Sequence, residues 1–325
     1  MKTVKWILLG LGLWALAGMI QSVGWETLFS NVARLKWNLL WLFVVYPFVF
    51  AFNTWGWMYA FPNPLPKKIR FLDVFAVRII GETLNNVIPV GASLGGEPMK
   101  AELLKKIHGV PRSQTYASLL IVHTTFWLSL NGFLASALVS TYRRIPLSSV
   151  LWKGVLLFFV VLGIGGIFLV WLLLRGIFKK IAGLAKNFKS WKHYWEEKNE
   201  KFMKLDEDIR KFYTDSPRRL VLSTLFNFAS WGAGIFEVLI FAKLLGMNIH
   251  WTEAWLLEAL IQSLRIVTFF IPSSVGAQEG GILFIFSQMG YAAPLALTFA
   301  ILRRIREILW NAIGLLLWAF FDKTS

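Results

Sequence analysis

Arg303, Arg304, Arg306 and Glu307 stand together inside an otherwise apolar stretch near the C-terminus. At 100° per residue they fall within an arc of roughly 160°, one face of a helix. Arginine suits bidentate contact with a carboxylate or phosphate, so this face could bind an anion or neutralise buried acids. Glu97 and Glu279 are two such acids, and each follows a break rich in Gly and Pro. Pro89, Gly95 and Gly96 precede the first; Pro272 and Gly276 precede the second, and Gly280 and Gly281 follow it. An ionised side chain at bilayer depth costs about 2.5–3.5 kcal/mol on insertion scales unless partnered. Each glutamate is therefore read either as a helix cap, with Glu97 at the N-cap before Pro98, or as a protonatable, cation-pairing group. Arg303 and Glu307, at i,i+4, are expected to pair. The net positive charge that remains is open to a phosphate, or to Glu97, Glu279, Glu237 and Glu258. Asn85, Asn86 and Gln278 add polar lining, and Lys100, Lys105 and Lys106 are expected toward the C-terminal end of the helix after Glu97. Glu82 and Arg265, each seven residues before a Pro, are candidates for an ion pair with each other.

The solvent around these groups follows from composition. The 325 residues are 56% hydrophobic and 16% charged, with a mean hydropathy of +0.57. Counting Gly and leaving out Tyr, roughly 62% is apolar, against ~45–50% in soluble domains. This excludes an ordinary soluble domain and a disordered chain. The absence of Cys excludes disulfides, thiolate metal sites and a Cys nucleophile. His108, His123, His193 and His250 have no metal-ligand spacing, so no cofactor is expected. The fold class expected is all-α integral membrane, because only helices pair their own backbone in hydrocarbon. Full spans are read at 6–23, 37–60, 114–140, 151–174, 219–245 and 293–320. Two further apolar segments, 73–107 and 252–290, are broken in the middle by Gly and Pro.

Of the 34 Lys and Arg, 24 collect on one side of this arrangement. By the positive-inside rule that side is cytoplasmic and holds both termini. The net charge of +16 is then a topology signal and points to no nucleic acid. Lys2 and Lys5, an apolar run and Ala15-Leu16-Ala17 also resemble a signal peptide, although the repeat below needs this helix as a partner for the fourth span. Residues 175–218 form a cytoplasmic insert with apolar positions at helical spacing, among them Ile177, Trp191, Trp195, Phe202, Leu205, Ile209 and Phe212. It reads either as a basic amphipathic helix on an anionic leaflet or as a connector packed on the spans.

Ile88-Pro89-Val90-Gly91-Ala92-Ser93-Leu94-Gly95-Gly96-Glu97 aligns with Ile271-Pro272-Ser273-Ser274-Val275-Gly276-Ala277-Gln278-Glu279-Gly280. The register persists on both sides: 37–60 matches 219–245, 114–140 matches 293–320, and Gly109 matches Gly290. His123 then falls where the second copy has Arg303 or Arg304, although a lone His in a bundle is more often a packing residue. Three spans between the broken segments invert the second copy relative to the first. The expected organisation is two inverted repeats, 1–145 and 146–325, whose re-entrant hairpins meet near the midplane, where transporters place substrate sites.

At these residues the sequence resembles a known family. Asn86-Val87-Ile88-Pro89 through Gly95-Gly96-Glu97, and Ile271-Pro272 through Gly276, Glu279, Gly281, Arg304 and Arg306-Glu307, are similar to the lysylphosphatidylglycerol synthase transmembrane region. This family is also called flippase-like; the second-copy pattern resembles its hopanoid-biosynthesis-associated branch in particular. The resemblance implies movement of a polar- or anionic-headed lipid between leaflets of a bacterial-type inner membrane, with Glu97, Glu279, Arg304 and Glu307 in the cavity. Some members carry an aminoacyl-transferase domain; this chain stops at Ser325, so an enzymatic role is not expected. The implied partners are membrane lipids and lipid-biosynthetic enzymes. The alternatives are a subunit anchoring such an enzyme through 175–219, and an integral membrane glycosyl- or phosphotransferase. The second lacks loop acids: 24–36 offers only Glu26 and 141–150 none.

Overall fold

The computed structural model describes residues 14, 16–87, 95–141, 149–177, 179–180, 189–268 and 271–323. Every regular element among them is helical, as hydrocarbon requires. Residues 16–23 lead through Gly24 into α1 (Trp25–Ala33). A 3-10 segment (Lys36–Phe43) then continues into α2 (Tyr46–Tyr59). Next come α3 (Phe71–Val87), α4 (Glu97–His108), α5 (Arg112–Thr141), α6 (Ser149–Leu174) and α7 (Lys189–Asp215). The chain ends with α8 (Pro217–Leu244), α9 (Trp251–Val267), α10 (Ala277–Gln288) and α11 (Ala293–Lys323).

Four stretches are long and apolar enough to cross a membrane: Lys36–Tyr59, Arg112–Thr141, Trp152–Leu174 and Pro217–Leu244. They match the expected spans to within two residues. α11 has 31 residues, about 46 Å at 1.5 Å per residue, but carries the charge cluster at its centre. Most of the expected first span, and residues 88–94 of the first break with Pro89 among them, lie outside the described residues.

The two broken segments have matching lengths. α3 and α9 are each 17 residues, and α4 and α10 each 12, or about 25 and 18 Å. Neither length crosses a ~30 Å hydrocarbon core. Gly109 and Gly290, just past α4 and α10, both take positive φ, 71° and 82°, a left-handed helix stop that favours glycine.

Packing sorts the segment ends into two cores. One holds Ile69 and Val110, which flank the α3–α4 pair, with Trp57, Ile121, Phe212 and the partly buried Phe321. The other holds Ile249 and the partly buried Tyr291, which flank α9–α10, with Leu35, Leu134 and Ala296. α5 supplies its N-terminal half to the first core and its C-terminal half to the second, so the cores lie toward opposite ends of one helix. The α3–α4 pair packs in the first core and the α9–α10 pair in the second. At the second end the Tyr291 hydroxyl donates to the Asn248 carbonyl at 3.1 Å.

Between the ends, α2, α5 and α8 are joined by buried hydrogen bonds. Asn53 donates to Ser230 at 2.8 Å, Trp57 to Ser118 at 2.9 Å, Asn227 to Thr125 at 3.1 Å and Trp231 to Ser129 at 3.0 Å. Helices in lipid gain little from apolar contact alone, and such bonds with small residues hold them together. By contrast, α6 exposes Leu157, Ile164 and Ile167 by more than 60%, as a peripheral span facing hydrocarbon should.

The second half of the insert packs on the spans. Leu205, Ile209 and Phe212 are buried against the spans, Tyr213 hydrogen-bonds Thr124, and Asp206 accepts the Lys179 amide at 2.7 Å. This part of α7 is the packed connector, with its apolar face turned to the protein. The Trp191 and Trp195 side chains lie outside those described.

α3 and α4 touch backbone to backbone. A Cβ added at Gly96 would stand 1.8 Å from the Gly81 carbonyl oxygen, so only glycine fits there. Gly96→Ala is expected to abolish most folded yield, whereas Gly232→Ala, whose Cβ would meet nothing within 4 Å, should melt at or above wild type. Size-exclusion profiles and thermal melts of the purified variants check both outcomes.

Candidate functional site

The expected charged face forms on α11, and acids from three other helices converge on it. Arg303 places Nη1 2.7 Å from Glu258 Oε2 on α9 and Nη2 3.3 Å from Glu237 Oε2 on α8. Arg306 takes the other Glu237 oxygen at 2.5 Å and stacks its guanidinium 3.7 Å from the Tyr46 ring centroid. Both arginines are almost fully buried. Gln262, one turn along α9, donates to Glu258 at 2.6 Å. Room for Glu258 comes from Gly234 on α8, where a Cβ would stand 2.4 Å from the carboxylate.

Arg304 turns toward the second break. Its Nε and Nη2 donate to Glu279 Oε1 at 2.9 and 2.6 Å, and its Nη1 reaches Glu307 at 2.9 Å and the Ser273 carbonyl at 3.0 Å. The other Glu279 oxygen accepts the Gly276 amide at 2.8 Å. Cap and ion pair, posed as alternatives for this residue, are both true of it. Gly276 has φ 78°, a backbone that glycine adopts without penalty.

Two expected pairings come out differently. Glu307 bonds Arg304 at i,i+3 and lies 3.4 Å from Arg265, while Arg303 turns to Glu258 and Glu237; the i,i+4 pair with Arg303 is not made. Glu82 and Arg265 do not pair with each other either. Glu82 is bound by Lys100 at 3.1 Å and Arg78 at 3.6 Å within its own half. The expected surplus of positive charge is cancelled as well: Arg265, Arg303, Arg304 and Arg306 face Glu237, Glu258, Glu279 and Glu307.

A second, smaller set surrounds Glu97. Gly96, not Glu97, is the N-cap of α4, and its amide is satisfied by Asn85 Oδ1 at 2.7 Å. Glu97 Oε1 instead receives Lys100 at 2.9 Å and Asn85 at 3.2 Å. Lys100, expected toward the far end of α4, lies in its first turn and is 1% exposed, because Gly81 leaves it space. Arg78 and Lys100 thus match Glu82 and Glu97. His123, half exposed, stands 4.0 Å from Glu97, and its Nδ1 meets the Leu119 carbonyl one turn back on its own helix. Gly95 lies beside Gly96 in the approach to α4.

The last turn of α3 meets the turn of the second break. The Ser273 hydroxyl donates to the Asn86 carbonyl at 3.1 Å, and the Asn86 side chain donates to Asn311 of α11 at 3.2 Å. Gln278, buried near this point, has a side-chain oxygen without a protein partner. Gly280 lies on α10 beside Glu279. The Pro272 side chain is outside those described, though it opens the short 3-10 turn Pro272–Ser274.

Arg78, Lys100, Tyr46, Gln262 and Asn311 were not singled out by sequence as site residues. Arg78–Glu82 and Glu307–Asn311 are i,i+4 pairs and Glu97–Lys100 an i,i+3 pair, so spacing alone could have raised them. Tyr46 carried no such signal. Among the described residues no cluster of His, Asp and Glu fits a metal ion.

Breaking a buried ion pair by removing one partner costs about 3–5 kcal/mol, since the other charge is left stranded. Arg303→Gln would strand Glu258 and is expected to lower stability by that order in denaturant titrations. Glu207→Gln, which breaks an exposed pair with Lys211, should leave the unfolding curve unchanged.

A family model described as lysylphosphatidylglycerol synthase TM region matches residues 5–314. No curated protein and no solved structure matches the chain.

Proposed function

The chain belongs to the lysylphosphatidylglycerol synthase transmembrane-region family, multi-pass membrane domains associated with lipid handling, and from that premise we propose that it is a lipid translocase. It would move a lipid with a polar or anionic head, such as a phospholipid, an isoprenoid-linked lipid or a hopanoid, between leaflets without altering it chemically. The observation that carries the reading is the junction of Asn86, Ser273 and Arg304. There the last turn of α3 meets the turn before α10, beside a buried charged set and within two helix pairs whose helices are too short to span.

In this reading α3–α4 and α9–α10 are re-entrant hairpins of two inverted repeats, 1–145 and 146–325. Their ends in separate cores and their matched lengths support it. The end with Phe61, Val110 and Phe212 faces the cytoplasm of a bacterial-type inner membrane, since Lys67, Lys68, Lys105, Lys106, Lys204 and Arg219 flank it.

Arg304 and Arg265 are the accessible cations of the larger set, with side chains 17% and 32% exposed. A phosphate entering from the break would exchange for Glu279 or Glu307 on Arg304, keeping the guanidinium bidentate throughout. The freed carboxylate then takes a proton or cation, because an extra net charge at depth is disfavoured. This ties head-group passage to proton or ion movement and needs no nucleotide. The alternative of an anchor that docks an enzyme through residues 175–219 is weakened in its second half, where Leu205, Ile209 and Phe212 are already packed against the spans.

Glu279→Gln keeps the shape of the side chain, and Arg304 keeps Glu307 as its counter-charge, so folded yield should hold. In proteoliposomes, leaflet exchange of a labelled anionic lipid is expected to fall about tenfold or more; exchange at the wild-type rate removes Glu279 from the mechanism. Mass spectrometry of lipids retained in nanodiscs, beside an Arg304→Gln, Glu279→Gln double variant, identifies the class. Wild type should retain one class above its membrane abundance and the double variant should lose it.

A further inference from the structure

Away from the charged sets, a cleft of about 220 Å³ opens between the 3-10 segment and α11. Leu39, Leu40, Phe43, Ile305 and Leu309 line it, and Lys36 is the one charged residue of the lining. Lys36 is exposed, and Arg34, two residues earlier, is exposed as well. Trp37 beside it is 85% exposed, the placement of an interfacial tryptophan.

The cleft runs from that rim toward the depth of the charged set. Asn31 hydrogen-bonds Thr298 at 3.1 Å, which fixes the level of α11 at the rim. Ile305 and Leu309 lie seven and eleven residues further along, about 10 and 16 Å deeper. Ile305 sits between Arg304 and Arg306 in the chain. The opposite wall is an eight-residue 3-10 helix, a form seldom longer than three or four residues. Lys36, which begins it, has φ 46°, in the left-handed region that non-glycine residues seldom occupy. Both departures from ordinary helix fall on the wall of this cleft, where a regular α-helix in register would turn other side chains toward α11.

We propose that this cleft is a lipid-chain site, in which one acyl chain of an anionic phospholipid lies along α11 with its phosphate on Lys36. Charge decides the occupant. The chain-binding walls are apolar and the rim is cationic, with no carboxylate in the lining, so an anionic head on an acyl tail complements both parts. The site holds a lipid at the rim whether or not the protein moves lipid across the membrane, so it goes beyond the translocase reading and does not depend on it.

The test uses the full-length protein in vesicles and a phosphatidylglycerol bearing a photoreactive diazirine near the middle of one chain. A phosphatidylcholine with the same chain is the control. Labelling by the phosphatidylglycerol probe is expected within 36–43 and 305–309, falling with excess unlabelled phosphatidylglycerol. Lys36→Gln should reduce it at least fivefold and Lys36→Arg should retain it. Leu309→Trp, which fills the cleft and keeps the rim charge, should reduce labelling by both probes. The proposal is overturned if both lipids label these segments equally, if Lys36→Gln labels like wild type, or if labelling is no denser than on lipid-facing α6. Because the readout is labelling and not leaflet exchange, a protein that binds without flipping separates this site from the function proposed above.

Discussion

Charge neutrality at depth is the constraint on which the rest of this bundle depends. Four arginines placed in hydrocarbon would not insert as a group without counter-charges. α11 carries three of these arginines and could not occupy a bundle centre alone. α8, α9 and α10 must each bring an acid to it, and these three contacts fix where the helices of the second half stand. The same rule sets the first half on a smaller scale, where Arg78 and Lys100 meet Glu82 and Glu97. Small residues sit where charged chains need volume: Gly81 under Lys100 and Gly234 under Glu258. Such pairs contribute little net stability against apolar packing of the same volume.

The class of fold and the position of the spans were legible because hydrocarbon leaves few choices. Four apolar stretches of spanning length can be recognised from Lys36–Tyr59 to Pro217–Leu244 without any partner being known. The charged face of α11 was legible for the same reason, since 100° periodicity alone gathers Arg303, Arg304, Arg306 and Glu307. Pairing within the face was not. Arg303 and Glu307 satisfy the spacing rule for an isolated helix, but that rule assumes water on the other sides. In the bundle Arg303 meets two acids from α8 and α9, and desolvation makes those close contacts outweigh a pair along its own helix. Glu97 failed as a cap on similar grounds. The helix starts one residue earlier, at Gly96, and the carboxylate is taken by the buried Lys100 and by Asn85 of the neighbouring helix. Sequence spacing reports neighbours along a helix and carries no information about a helix brought alongside by the fold.

The second break joins backbone strain to this electrostatics. Ser273 and Ser274 both have φ of 50°, a region that non-glycine residues occupy at about 1–3 kcal/mol each. Ser274 is held there by hydrogen bonds with Thr268, and Ser273 by its hydroxyl on Asn86 and by Arg304 on its carbonyl. The Arg304 guanidinium that binds Glu279 and Glu307 is thus the same group that restrains the strained turn. On the translocase reading, an anion that draws Arg304 away from its acids also loosens its grip on Ser273. The turn can then relax, and the contact with Asn86 across the two halves is no longer held from both sides. Head-group binding and opening between the repeats would share one side chain, which requires no longer-range pathway. That coupling needs Arg specifically, because a lysine could replace the charge but could not bind two carboxylates and a carbonyl in one plane.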